Sequence, residues 1–267
     1  MKPPVVEQPW SRLRTHTAAR IGLGRAGVSV PTAAHLAFQQ AHAEARDAVH
    51  APLDDGALLA GLRALGEAPL QVQSRAPDRA FYLQRPDLGR RLSEASAASL
   101  AAVQAAPADL AFVLADGLSA LALQRQALPL FAALRERLAI EGGWAWAPPV
   151  VARQARVALG DEVGALLNAR CVVVLIGERP GLSAPDSLGV YFSWAPRIGL
   201  VDAQRNCLSN VRPEGLPPAA ASAKLHALLR EARTRQLSGI ELKDEQDDRV
   251  VATAPASLMR LLGGAPA

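Results

Sequence analysis

The segment Cys171-Val172-Val173-Val174-Leu175-Ile176 limits the possible folds more than any other part of this chain. It is continuous and apolar, rich in β-branched residues, and has no alternation with polar positions. A strand of that kind is buried on both faces, and such strands belong to parallel sheets covered by helices on both sides. Its surroundings agree. Leu110-Ala111-Phe112-Val113-Leu114-Ala115 is a second apolar run, ending in Asp116-Gly117; Val150-Val151 and Val190-Tyr191-Phe192-Ser193-Trp194 read as further strands. Helical stretches are expected over residues 119–140 and 161–169, the second with an acidic first turn that suits the helix dipole. Pro217-Pro218 open a long helix to about Gln236. Strand and helix in alternation argue for an α/β fold.

The part before Pro107 reads differently. Residues 1–8 are a loose arm rich in Pro and polar groups. Pro31 suits a first helical turn, residues 32–50 contain no Gly or Pro, and Pro52 stops that helix. Residues 58–65 form a short helical piece, 74–87 look irregular around Pro77 and Pro86, and 88–106 are Ala-rich and helical. Nothing before Pro107 reads as a strand. The expected organisation is an N-terminal arm and helical domain over residues 1–107, then an α/β, Rossmann-like domain with a mainly parallel sheet over residues 108–267.

Composition excludes several classes. The chain has 267 residues, 50% of them hydrophobic, enough for a real core. Its longest apolar run is about seven residues, against roughly 20 for a membrane-spanning helix. The start, Met1-Lys2-Pro3-Pro4, shows no apolar signal region. Two cysteines, Cys171 and Cys207, cannot make a disulfide framework or a four-thiolate zinc site, so a reducing, cytoplasmic compartment is expected. The net charge is +4, but the cations are almost all Arg and are interspersed with acids along the chain. Without a basic block, and with aromatics at 4%, nucleic-acid binding is not expected.

Gly22-Leu23-Gly24-Arg25-Ala26-Gly27 matches the dinucleotide fingerprint, yet no buried strand precedes it and no helix opens directly on it. The glycines are expected to let the backbone turn and lie close to another surface. His35, His42 and His50 share a helix face, but their spacing is wrong for a metal site. There is no Gly-x-Ser-x-Gly elbow and no phosphate-binding Walker loop. Two loops remain. In Gly177-Glu178-Arg179-Pro180-Gly181-Leu182, Glu178 follows the strongest strand at the edge where parallel sheets bind ligands, or else pairs with an arginine in a surface loop. In Arg205-Asn206-Cys207-Leu208-Ser209-Asn210, Cys207 is either a small buried thiol or part of a polar, ligand-facing loop.

These two loops, with the stretch from Arg20 to Gly27 and Ala45-Arg46-Asp47-Ala48-Val49-His50, resemble the small (light) subunit of ethanolamine ammonia-lyase, in order from about Trp10 to Lys243. The resemblance implies a hetero-oligomer with a large subunit that carries the barrel and the substrate site. Adenosylcobalamin (coenzyme B12), a cobalt cofactor, would lie between the two subunits. It would start the radical conversion of ethanolamine to acetaldehyde and ammonia. Glu178, Cys207 and, in Arg156-Val157-Ala158-Leu159-Gly160-Asp161-Glu162, Val157 match cobalamin-contacting positions. No catalytic residue and no metal ligand is expected in this chain. The location implied is the cytoplasm, free or inside a bacterial microcompartment. The alternatives of another class are a non-catalytic α/β module for a different nucleotide-like ligand, and a stand-alone enzyme.

Overall fold

The computed structural model describes residues 5–243. The first four residues of the expected arm lie outside this range. Thirteen regular elements follow one another: α1 (Thr32–His50), α2 (Asp55–Ala64), β1 (Leu70–Gln73), α3 (Arg79–Gln84), α4 (Glu94–Ala102), β2 (Ala108–Ala115), α5 (Ala120–Glu141), β3 (Val150–Arg153), α6 (Leu159–Leu166), β4 (Ala169–Gly177), β5 (Leu188–Trp194), β6 (Asn206–Val211) and α7 (Pro218–Arg235). The six strands form one sheet in the order β1-β3-β2-β4-β5-β6. The first four are parallel, whereas β5 and β6 run antiparallel.

The run from Cys171 to Ile176 is the middle of β4, flanked by β2 and β5 and buried along its length. Its alternate residues enter two different cores. Cys171, Val173 and Leu175 pack with Leu58 of α2, Phe131 of α5 and Leu225 of α7. Val172, Val174 and Ile176 pack with Leu100 of α4 and with Leu159 and Val163 of α6. This is a three-layer α/β arrangement. No described helix is long and apolar enough to cross a membrane.

The sequence-based reading needs three corrections here. A strand does precede Pro107: β1 pairs with β3, so the sheet takes chain from both sides of that proline. At four residues, its alternation of Leu70 and Val72 with glutamines is too short to stand out. The stretch 74–87 is not irregular throughout. Asp78 caps α3 by accepting from the Phe81 amide at 3.0 Å. The stretch 88–106 is not one helix either, because Ser93 caps a fresh start at α4. The acidic first turn of α6 also does more than complement a dipole. Asp161 forms a buried ion pair with Arg205 at 2.5 Å, and Glu162 accepts from Arg91 at 2.9 Å and from the Leu92 amide at 3.0 Å.

The glycine stretch packs on the chain's own arm. Val6 and Arg25 bond reciprocally through their backbones at 2.8 and 3.0 Å. Gly24 has φ +78°, and a Cβ there would stand 2.8 Å from the Val6 carbonyl oxygen. An L-residue in left-handed backbone costs about 1–2 kcal/mol, and the collision adds to it. Gly24→Ala is therefore expected to release the arm while leaving the sheet intact. Trypsin should cut faster at Arg12, Arg14 and Arg20, with the main unfolding transition unmoved; unchanged cleavage would refute this reading.

Candidate functional site

The chain leaves β2 toward α5 on one face of the sheet and leaves β3 toward α6 on the other. Divergence of neighbouring connections opens a crevice at the carboxyl ends of parallel strands. A cavity of about 370 Å³ lies at that end. It is lined by Gly117 after β2, Arg156 and Val157 after β3, Glu178 after β4, Tyr191 of β5 and Tyr82 of α3. Its floor is set by a close crossing. The Leu118 amide donates to the Gly177 carbonyl at 2.9 Å, and a Cβ on Gly177 would collide with the Ser119 carbonyl oxygen. Only glycine lets the β2–α5 turn close over the end of β4.

Polar groups fix the rim. Asp116 accepts from the amides of Gln154 and Ala155 at 2.9 and 3.1 Å, tying the end of β2 to the turn after β3. Burial pushes its carboxyl up, against the pull of those amides and of Arg79. Burial likewise lowers the Arg79 guanidinium. Arg156 lies over the Tyr82 ring at 4.3 Å from its centroid, and the Tyr82 hydroxyl donates to the Ala155 carbonyl at 3.0 Å. The Nε of Arg156 is buried and has no hydrogen-bond partner among the described residues.

Glu178 is half-buried, and its carboxylate is already engaged. It accepts from the hydroxyls of Ser187 and Ser209, the latter at 2.6 Å, and from the Asn210 amide at 3.2 Å. An ion pair with an arginine, the alternative reading of this position, does not form among the described residues. The segment from Asn206 to Asn210 is a strand, not a loop, and this explains the contacts. Between Leu188 and Val190 of β5 the register with β6 shifts, from Val211 to Leu208. The extra residue makes a bulge at Ser209–Asn210, with Asn210 at φ +58°. A bulge leaves an amide without its ladder partner and re-aims side chains; here Glu178 accepts from that amide.

Cys207 sits directly opposite Tyr191 across the β5–β6 pair. It is exposed, whereas Cys171 is buried, so only Cys171 is the small core thiol. Although the residue is exposed, partial desolvation of its sulfur against the sheet raises the Cys207 thiol above its ordinary value, opposed by the neighbouring Tyr191 hydroxyl; desolvation raises Tyr191 as well. Helices α5 and α7 cover one face of β5 and β6. On the other face α6 packs against β2 and β4, leaving Cys207 and Ser209 exposed. The structure thus brings Val157 and Glu178 to one cavity and sets Cys207 beside it through Tyr191. Sequence reading missed Tyr191, taken as strand only, and missed Ser187, Ser209 and the Asn210 amide. The pair Ser209-Asn210 carried a usable signal, because Asn is among the few residues that tolerate left-handed backbone.

Removing the carboxylate would leave three donors without an acceptor, one of them the buried Ser187. An unsatisfied buried group costs about 1–3 kcal/mol. Glu178→Ala should therefore destabilise the isolated chain by about that much, with no ligand present. Urea unfolding of both forms measures it, and equal midpoints would show that these bonds contribute nothing.

Relatives agree with the motif pattern. The model of the ethanolamine ammonia-lyase light chain (EutC) family matches residues 7–243. The ethanolamine ammonia-lyase small subunit of Azotobacter vinelandii is 61% identical over 247 residues, 91% of each chain. That of Ralstonia nicotianae is 59% identical over 243 residues, 90% of each. That of Pseudomonas aeruginosa is 57% identical over 244 residues, 90% of this chain and 89% of the relative. Similarity of this extent, with the family match spanning every strand of the sheet and every segment that lines the cavity, means that the chain belongs to the ethanolamine ammonia-lyase light-chain family.

Proposed function

We propose that this chain closes an adenosylcobalamin site against the large subunit of ethanolamine ammonia-lyase and contributes no acid, base or nucleophile to the reaction. The observation that carries the reading is convergence. Val157, Glu178 and Cys207 come from three separate segments, and the fold gathers them at one open cleft and the bare sheet face beside it.

The residues present fit such a group. The buried Arg156 Nε at the cavity lacks a partner among the described residues, and Glu178 holds a fixed carboxylate at the rim. A carboxylate has about four lone-pair positions, three of them used here, so one remains for a donor such as a primary amide on the corrin fringe. Val157 offers apolar contact beside it. A cleft of about 370 Å³, open to solvent, holds part of a molecule as large as cobalamin, which suits a site completed by a second chain. Bound there, the cofactor would supply the radical that starts loss of ammonia from ethanolamine. The chain's own residues bind and orient one side of it and keep water from that side.

A second feature supports a large partner. Trp10, Val28, Val30, Leu36 and Phe38 are all exposed large apolar residues, and they lie in one N-terminal stretch that ends in the first two turns of α1. Exposed apolar groups gathered in one region mark interaction surfaces. The location that accompanies this reading is the cytoplasm, free or within a bacterial microcompartment.

Two results test the proposal. The isolated chain with adenosylcobalamin should release no acetaldehyde from ethanolamine, whereas the complex with the large subunit should; turnover by the chain alone would refute the division of labour. In the complex, Glu178→Gln removes the charge but keeps an acceptor oxygen. Hydrogen bonds to charged groups exceed neutral ones by about 1 kcal/mol or more. The cobalamin dissociation constant should therefore rise by about tenfold, with assembly intact. An unchanged constant would leave Glu178 as the acceptor for the β6 bulge and nothing more.

A further inference from the structure

The open face of β5 and β6 holds a group that the three matched positions do not include. Tyr191 lies on the face that carries Cys207, directly across the strand pair, and lines the same cavity as Glu178 and Val157. Gly189, two residues earlier on β5, makes room for it. A Cβ at Gly189 would meet the Tyr191 ring and Glu178 Oε1, each at 3.0 Å. The missing side chain lets the phenol ring and the carboxylate stand side by side over the strand. One side of the ring packs on the core beneath α6, which fixes its position.

We infer that Tyr191 is a further ligand-contacting residue of this site, its hydroxyl shared between the Cys207 thiol and a polar group of the bound cofactor. This rests on the cobalamin reading and deepens it. The hydroxyl is both a donor and an acceptor with two lone pairs, so a bond to the thiol leaves capacity for a second partner. Glu178, by contrast, accepts only. Together they give the cleft wall one group that takes an amide N–H and one that can serve an amide N–H or C=O. Tyrosine suits this position because its ring is held by packing while its polar end meets the cleft.

The test uses Tyr191→Phe, which keeps the ring and its packing and removes only the hydroxyl. The first readout is a hydroxocobalamin titration of the two-chain complex, wild type and variant, followed by absorbance. Loss of one neutral hydrogen bond predicts weaker binding by about three- to tenfold. Equal affinity in the two would overturn the contact while leaving the cofactor reading in place. A wild-type complex that binds no cobalamin would overturn both. The second readout needs neither cofactor nor partner. Cys207 is the one exposed cysteine of two, so iodoacetamide labelling of the native chain reports on it. A hydroxyl that donates to a thiol favours the thiolate, so if Tyr191 bonds Cys207, labelling at pH 8 should slow in Tyr191→Phe. A rate that stays the same or rises would show that the hydroxyl does not bond the thiol.

Discussion

The crossing of the β2–α5 turn over the end of β4 is the constraint on which the site depends. There the backbone of Leu118 bonds to Gly177, and neither Gly117 nor Gly177 has room for a side chain. Because β2 also pairs with β3, Asp116 comes within reach of the amides after β3, and three strand ends are tied into one rigid rim. Val157 and Glu178 then face a common space although 21 residues separate them in sequence. A buried carboxylate is costly unless its oxygens are satisfied, and Asp116 meets that requirement with two backbone donors. The rim is therefore held by groups whose loss would be expensive.

Glu178 belongs both to this scaffold and to the cleft. Its carboxylate accepts the amide that the β6 bulge leaves unpaired, and it presents a fixed negative group at the cleft. The two roles are physically coupled. A side chain held by two hydroxyls and an amide has given up its rotamer freedom before any ligand arrives, so less is lost on binding. The bulge, the two serines and the glutamate are one structural unit, and β6 carries Cys207 within it. The antiparallel end of the sheet thus acts as a platform, covered by α5 and α7 on one face and open on the other.

Elsewhere, charged groups hold the layers together. Asp161 and Arg205 form a buried pair that fastens the start of β6 to α6, and Glu162 does the same for the segment before α4. Breaking such a pair is costly because the remaining charge stays buried. The N-terminal arm is attached more lightly, through the Val6–Arg25 bonds and through Arg20, which donates to the Leu182 carbonyl at 3.3 Å. That contact joins two of the motifs by which the family resemblance was first drawn.

The sequence by itself determined the strands whose signal is local and strong. The apolar run from Cys171 to Ile176 specified a doubly buried central strand, and with it an α/β fold, because no other arrangement hides both faces. Helices α1 and α7 were legible for the same reason, through long stretches free of internal proline and opened by one, and α5 was legible from its length although Pro129 lies inside it. The family, and with it Val157, Glu178 and Cys207 as candidates, followed from motifs in order along the chain. Tertiary structure alone decided the rest. Strand β1 is four residues of weak pattern that pair only because β3 offers an edge. Strand β6 has mostly polar, exposed residues, since one of its faces is left bare. The bulge at Ser209–Asn210, the hydroxyls on Glu178 and the pairing of Tyr191 with Cys207 depend on register between strands. Register is a long-range property, set by how the whole sheet closes, and no local window of sequence contains it.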